Sequence, residues 1–265
     1  MNLLVHLVLQ SVALPLILSV AGLAVVRRRD LDPAILLAAW WLIYFWMVGL
    51  PDWPPLKALD WVGLLATLSV AMSWWISAGR RLLWGQMLLF AATPLLLGWP
   101  LIVQQPTASL VIELAEMAVI GALTVVVIIK GPTQHRGPAF LTSSMGLAVA
   151  AALAGSLLIG ELAAVLASCL GGWILYDSVR RRKISHDVSS AWHMVPLAFL
   201  FLALLVNARL YADLPLTVLG CLQIAPLIAL LSTWRHSWVF SLFPTGVAIA
   251  FLVWMRGFSA YPAGY

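Results

Sequence analysis

From Pro138 to Tyr176 the chain carries a single charge, Glu161, in 39 residues. One helix of that length would measure about 58 Å, while the hydrocarbon core of a bilayer is about 30 Å thick. The stretch therefore reads as two membrane spans joined by a tight turn at Gly160-Glu161. The same reading extends along the chain. Apolar segments of about span length occupy 3–26, 33–50, 56–78, 82–103, 109–129, 138–159, 161–179, 190–208, 214–234 and 237–256. They are continuous rather than alternating, which selects helices over barrel strands. The expected fold is an all-α polytopic membrane protein of about ten transmembrane helices. Residues 1–265 form a single integral membrane domain with short loops.

Composition agrees. Hydrophobic residues make up 63% of the chain and charged residues 9%. Soluble domains run near 45–50% apolar and about 25% charged. A soluble enzyme, a nucleic-acid-binding domain and a disordered regulator are excluded. The first segment has no basic n-region and ends in Arg27-Arg28-Arg29 rather than at a small-residue cleavage site, so it reads as a true span.

The basic residues set the orientation. With Arg27, Arg28 and Arg29 inside, alternate counting places Arg80, Arg81, Lys130, Arg136, Arg180, Arg181, Arg182, Lys183 and Arg235 inside as well, twelve in all. Lys57, Arg209 and Arg256 fall outside, which makes three. Both termini then face the exterior or periplasm of a bacterial-type inner membrane. The net charge of +5 follows from this loop asymmetry and implies no nucleic-acid partner.

The chain also resembles itself at an offset near half its length. Trp41-Leu42-Ile43-Tyr44 meets Trp173-Ile174-Leu175-Tyr176, Trp61 meets Trp192, Arg80 meets Arg209, and Ala92-Thr93-Pro94-Leu95 meets Ile224-Ala225-Pro226-Leu227. The expected repeat halves are 1–132 and 133–265. Five spans is an odd number, so a second copy must be inserted upside down, as in many secondary transporters. Pro94 and Pro226 fall in the fourth span of each half. Helices broken at matching prolines would point to a midplane site.

Two segments resemble known families. Val26-Arg27-Arg28-Arg29-Asp30-Leu31-Asp32-Pro33, followed by a span ending in Gly49-Leu50-Pro51, resembles the first hairpin of auxin-efflux-carrier-like permeases. That resemblance implies ten spans in two inverted halves, and helices four and nine broken at prolines and crossing at the substrate site. Pro94 and Pro226 match those prolines, but Thr93 and Ala225 stand where the family has Asn. It also implies transport of organic anions. Leu158-Ile159-Gly160-Glu161, with the Gly171-Gly172 span after it, is similar to the closing hairpin of drug/metabolite exporters, whose termini are cytoplasmic.

Within the spans, Gln86, Thr93 and Pro94 on the fourth and Gln223 and Pro226 on the ninth are the expected substrate-binding residues. A helix restarting after a break presents free N–H groups and a positive dipole end to an anion. Glu113 and Glu116 stand i, i+3 on the fifth span and would share one face, a pair suited to holding a coupling proton. Asp60 is expected to pair locally with Lys57, and Arg209 with Asp213 at i, i+4. Asn207 and Gln10 read as interhelical hydrogen-bonders. Motifs for nucleophilic or metal catalysis are absent, the histidines form no close pair, and Cys169 and Cys221 have no CxxC neighbour. No catalytic residue, metal site or cofactor is expected.

The function these features point to is a secondary transporter, or permease, moving a small organic anion by alternating access. The partners are the lipid bilayer and that small-molecule solute, with a homodimer or other membrane-complex chains left open. The alternative is a non-catalytic integral membrane subunit or scaffold of a larger inner-membrane complex. An enzyme acting within the membrane on a lipid-linked substrate is the third reading.

Overall fold

The computed structural model describes residues 3–26, 31–51, 57–75, 80–104, 107–130, 133–181, 190–231 and 239–259. Arg27–Arg29, Arg182, Lys183 and Arg235 of the charge count lie outside the described residues. Among the described residues every regular element is helical, and the helices form ten rods. Rod α1 comprises Leu3–Val8, a π-helical turn Leu9–Ala13, and Leu14–Val26. The others are α2 (Asp32–Met47), α3 (Ala58–Trp75), α4 (Arg80–Gln104), α5 (Ala108–Lys130), α6 (Thr133–Ala154), α7 (Leu157–Arg181), α8 (Ser190–Tyr211), α9 (Leu216–Leu231) and α10 (Val239–Ser259). Seven rods are long and apolar enough to cross a membrane by length and composition, while α2, α3 and α9 offer shorter apolar stretches. The protein is a multi-pass, all-α membrane protein.

The rods assemble around α8, which packs against α2, α3, α4, α5, α6, α7 and α9. Of the span Met194–Tyr211, 83% is buried, against 22% for His6–Val26 and 28% for Val239–Arg256. Phe199 meets Phe90 of α4 edge to face, and Phe201 meets Phe140 of α6 in the same way. The hairpins α4–α5, α6–α7 and α9–α10 form the most extensive contacts, and α1 lies along α7. The halves do not repeat in packing. α6 packs on both α9 and α10, whereas α1 has no comparable contact with α4 or α5.

The α6–α7 turn lies five residues before its expected place. α6 ends at Ala154, Gly155 takes φ of +103°, and Ser156 leads into α7. Gly155 N–H donates to Ala152 O and Ser156 N–H to Ala151 O, closing the last turn around a left-handed residue that glycine adopts at little cost. Ser156 Oγ accepts from Ile159 N–H at 3.4 Å and caps α7. Glu161 therefore sits inside α7 rather than in a turn. Gly160 serves close packing instead: a Cβ there would come within 2.9 Å of Ala148 O.

The expectation of broken helices is also corrected. α4 runs as continuous helix through Pro94 and Pro100, and α9 through Pro226. A proline leaves one carbonyl without its partner, and neighbouring helices can absorb that loss in a membrane protein. The carbonyl freed by Pro94 is Phe90 O. It approaches Gly121 of α5 so closely that a Cβ there would stand 3.2 Å away. Pro15 acts more strongly on α1. Leu14 N–H bonds back to Leu9 O in the π register, and Ser11 O, which Pro15 cannot reach as a donor, lies 3.1 Å from Ser168 Oγ of α7.

Candidate functional site

The buried polar groups fall into separate seams. Between α3 and α4, Gln86 is wholly enclosed and fully engaged. Ser69 Oγ donates to Gln86 Oε1 at 2.9 Å, and Gln86 Nε2 donates to Ser69 O at 2.9 Å and Ser73 Oγ at 3.1 Å. Thr93 is engaged within its own helix, its hydroxyl donating to Leu89 O at 2.7 Å. Gln86 ties α4 to α3, while Thr93 bonds only within α4.

The second seam is formed by α6, α9 and α10, which all pack on one another. α6 brings the run Thr142-Ser143-Ser144, and Gly146 one turn further on. Thr142 and Ser241 of α10 share a hydrogen bond between hydroxyls. A side chain on Gly146 would overlap Thr245 Cγ2 and stand 3.1 Å from Leu222 Cδ2, so glycine lets α9 and α10 close on α6. In this seam Thr245 Oγ1 has no hydrogen-bond partner among the described residues; neither has Gln223 Nε2 on α9, nor Ser144 Oγ, which stands one turn from Phe140 on the α8-facing side of α6. Gln223 is 5% exposed. Pro226, one turn along α9, is buried with it. An unsatisfied buried group costs about 1–3 kcal/mol, and native proteins hold few. An idle amide donor on α9 and an idle hydroxyl on α10, two helices packed together, match a ligand that brings acceptors, such as a carboxylate.

The two expected groups of substrate ligands are thus not brought together. α4 and α9 share no extensive contact, and α5 and α8 each pack against both. Gln223 and Pro226 lie on α9, while Gln86 belongs to the closed α3–α4 seam and Thr93 and Pro94 lie further along α4.

The carboxylates also differ from expectation. Glu113 forms a two-pronged ion pair with Arg209 of α8: Nε donates to Oε1, and the second nitrogen donates to Oε2 at 3.0 Å. Arg209 further donates to Leu214 O at 3.1 Å. Glu116 is exposed on the helix surface, so the two-carboxylate proton site is not formed. The Arg209–Asp213 pair is not formed either, because α8 ends at Tyr211 and Asp213 stands outside it at φ +50°. An i, i+4 pair needs the helix to continue between its members.

Asp60, 1% exposed, accepts from Tyr44 Oη of α2 at 2.7 Å rather than pairing with Lys57, which is exposed. Its Oδ2 has no partner among the described residues. Tyr44 is held by stacking on Trp40, at 5.2 Å between ring centroids. Sequence reasoning did not single out Tyr44, Ser144 or Thr245. The signal available for Ser144 was the polar triplet inside an apolar span. The signal for Tyr44 was a phenol one span away from an intramembrane acid.

No protein-family model, curated protein or solved structure matches this chain.

Proposed function

We propose that this protein is a membrane carrier for a small organic solute with acceptor groups, a carboxylate being the best fit, bound in the α6–α9–α10 seam. The observation that carries the reading is the pair of unpartnered buried groups on the packed helices α9 and α10, Gln223 Nε2 and Thr245 Oγ1. In this reading all ten helices cross a bacterial-type inner membrane and both termini face outside. The short stretches of α2, α3 and α9 cross with their flanking residues. The seam lies wholly within 133–265. Alternating access then belongs to the α9–α10 hairpin moving against α6, and an inverted repeat survives as sequence correspondence rather than as a symmetric site.

The test is the apparent thermal stability of the gently purified protein against a panel of small organic acids and their neutral analogues. A ligand of the folded state raises stability with concentration, by about 2.7 kcal/mol at a hundred times its dissociation constant. A rise confined to acids, absent in Gln223→Leu, supports the carrier. No rise across the panel, with other chains co-purifying in fixed proportion, favours the non-catalytic subunit instead.

A further inference from the structure

α8 ends at Tyr211 and α9 begins at Leu216. The last turn of α8 sends two side chains across to other rods. Arg209 holds Glu113 of α5 in the two-pronged pair, and Tyr211 Oη donates to Leu97 O of α4 at 2.9 Å. Arg209 spends Nε and one terminal nitrogen on the carboxylate. Its other terminal nitrogen donates to Leu214 O, in the α8–α9 turn, at 3.1 Å. A guanidinium presents its donors in a fixed plane, so one side chain grips α5 and the turn together.

The turn has a set shape. Ala212 N–H and Leu214 N–H both donate to Ala208 O, at 3.1 and 3.2 Å, and Asp213 takes φ of +50°. Leu214 is fully buried, and Leu219 N–H donates to Pro215 O at 3.0 Å, so helix starts directly after the turn. No slack separates Leu214 from α9, and a displacement of one carries the other. Along its length α9 packs extensively on α10 and α6 but only lightly on α5 and α8. Arg209 therefore fastens one end of α9 on the side where packing holds it least. The ion pair is also within reach of water, its side chains being 25% and 14% exposed. Water at such a boundary can solvate both charges when they part, which a deeply buried pair does not allow.

We propose that the Glu113–Arg209 pair is a latch on the α8–α9 turn, which keeps the adjoining end of α9 against α5 and, on opening, lets water reach Gln223. The proposal deepens the carrier reading and rests on it for the role of Gln223, which stands about two turns into α9. It names the contact that must break before the α9–α10 hairpin moves. It also requires arginine: a lysine ammonium is a single point charge and does not reproduce the fork that serves Glu113 and Leu214 O at once.

The experiment measures how fast a water-soluble maleimide labels a Gln223→Cys reporter in the full chain, purified in mild detergent. The background carries Cys169→Ala and Cys221→Ala. Adding Glu113→Ala should raise the labelling rate about tenfold. A Gln86→Cys reporter in the closed α3–α4 seam should label no faster with Glu113→Ala than without it. The exchange of Glu113→Arg with Arg209→Glu separates a latch from a plain brace. It restores an ion pair between α5 and α8, but the new carboxylate offers Leu214 O no donor. Thermal stability should return toward that of the parent while labelling stays fast. Arg209→Lys is the further variant, for the case that the exchange does not fold, and it too should label faster although the charge is kept. Unchanged labelling with Glu113→Ala, equal gains at both reporters, or slow labelling restored by the exchange would overturn the latch. Failure of the carrier reading looks different: organic acids give no stabilisation while the labelling pattern stands.

Discussion

The α3–α4 seam and the α6–α9–α10 seam each bury one glutamine, and they use it in opposite ways. Gln86 spends its side chain on Ser69 and Ser73. Gln223 keeps an amide nitrogen idle. The two residues have the same chemistry and lie in the fourth and ninth rods. The difference teaches that an intramembrane amide is a functional pointer only after its partners are counted. A satisfied polar group is a fastener, and removing it should cost stability. An idle one costs stability while it stays, and removing it should cost only what it binds.

Four substitutions sharpen or break that contrast. Glu113→Ala should have the largest effect on stability. It strands Arg209, and breaking a fully buried pair costs about 3–5 kcal/mol. With the two side chains 25% and 14% exposed, solvent screens part of that; about 2 kcal/mol is expected, read by thermal unfolding in detergent. Gln86→Leu comes next. Interhelical hydrogen bonds in membranes average about 0.6 kcal/mol each, so the loss should be about 1–2 kcal/mol, with the response to solute unchanged. Ser168→Ala should lose about 0.5–1 kcal/mol, because the one hydroxyl proton is shared between Ala164 O of its own helix at 2.8 Å and Ser11 O at 3.1 Å. Gln223→Leu should change stability least, within about 0.5 kcal/mol or slightly upward, while abolishing any stabilisation by organic acids. If Gln223→Leu destabilised as much as Gln86→Leu, the two seams would be alike and the contrast would fail.

The ten apolar segments were legible because crossing a bilayer demands long apolar runs, a constraint that acts on each segment alone. What surrounds α8 was not legible. Lipid tails are as apolar as leucine, so a central helix and a lipid-facing one carry similar hydropathy. The α6–α7 turn was misplaced because the lone charge of Glu161 drew attention from Gly155-Ser156, where a glycine stop followed by a serine start carried the true signal. The site was half legible. Gln223 and Pro226 are identifiable as polar and proline positions inside a span, but the partners that decide their roles come from α6 and α10. The ion pair of Arg209 joins residues 96 apart and leaves no local pattern to read.

Ser168 Oγ stands within hydrogen-bond distance of Ser11 O, a contact across 157 residues of chain. A ribosome adding about 5–20 residues per second takes about 8–30 s to make that much polypeptide. Throughout that interval the Ser168 hydroxyl does not yet exist, and the contact of α1 with α7 forms only after more than half of the chain has been made. Substitutions on the α1 face of α7 should therefore act late in biogenesis, on the docking of a first helix already made.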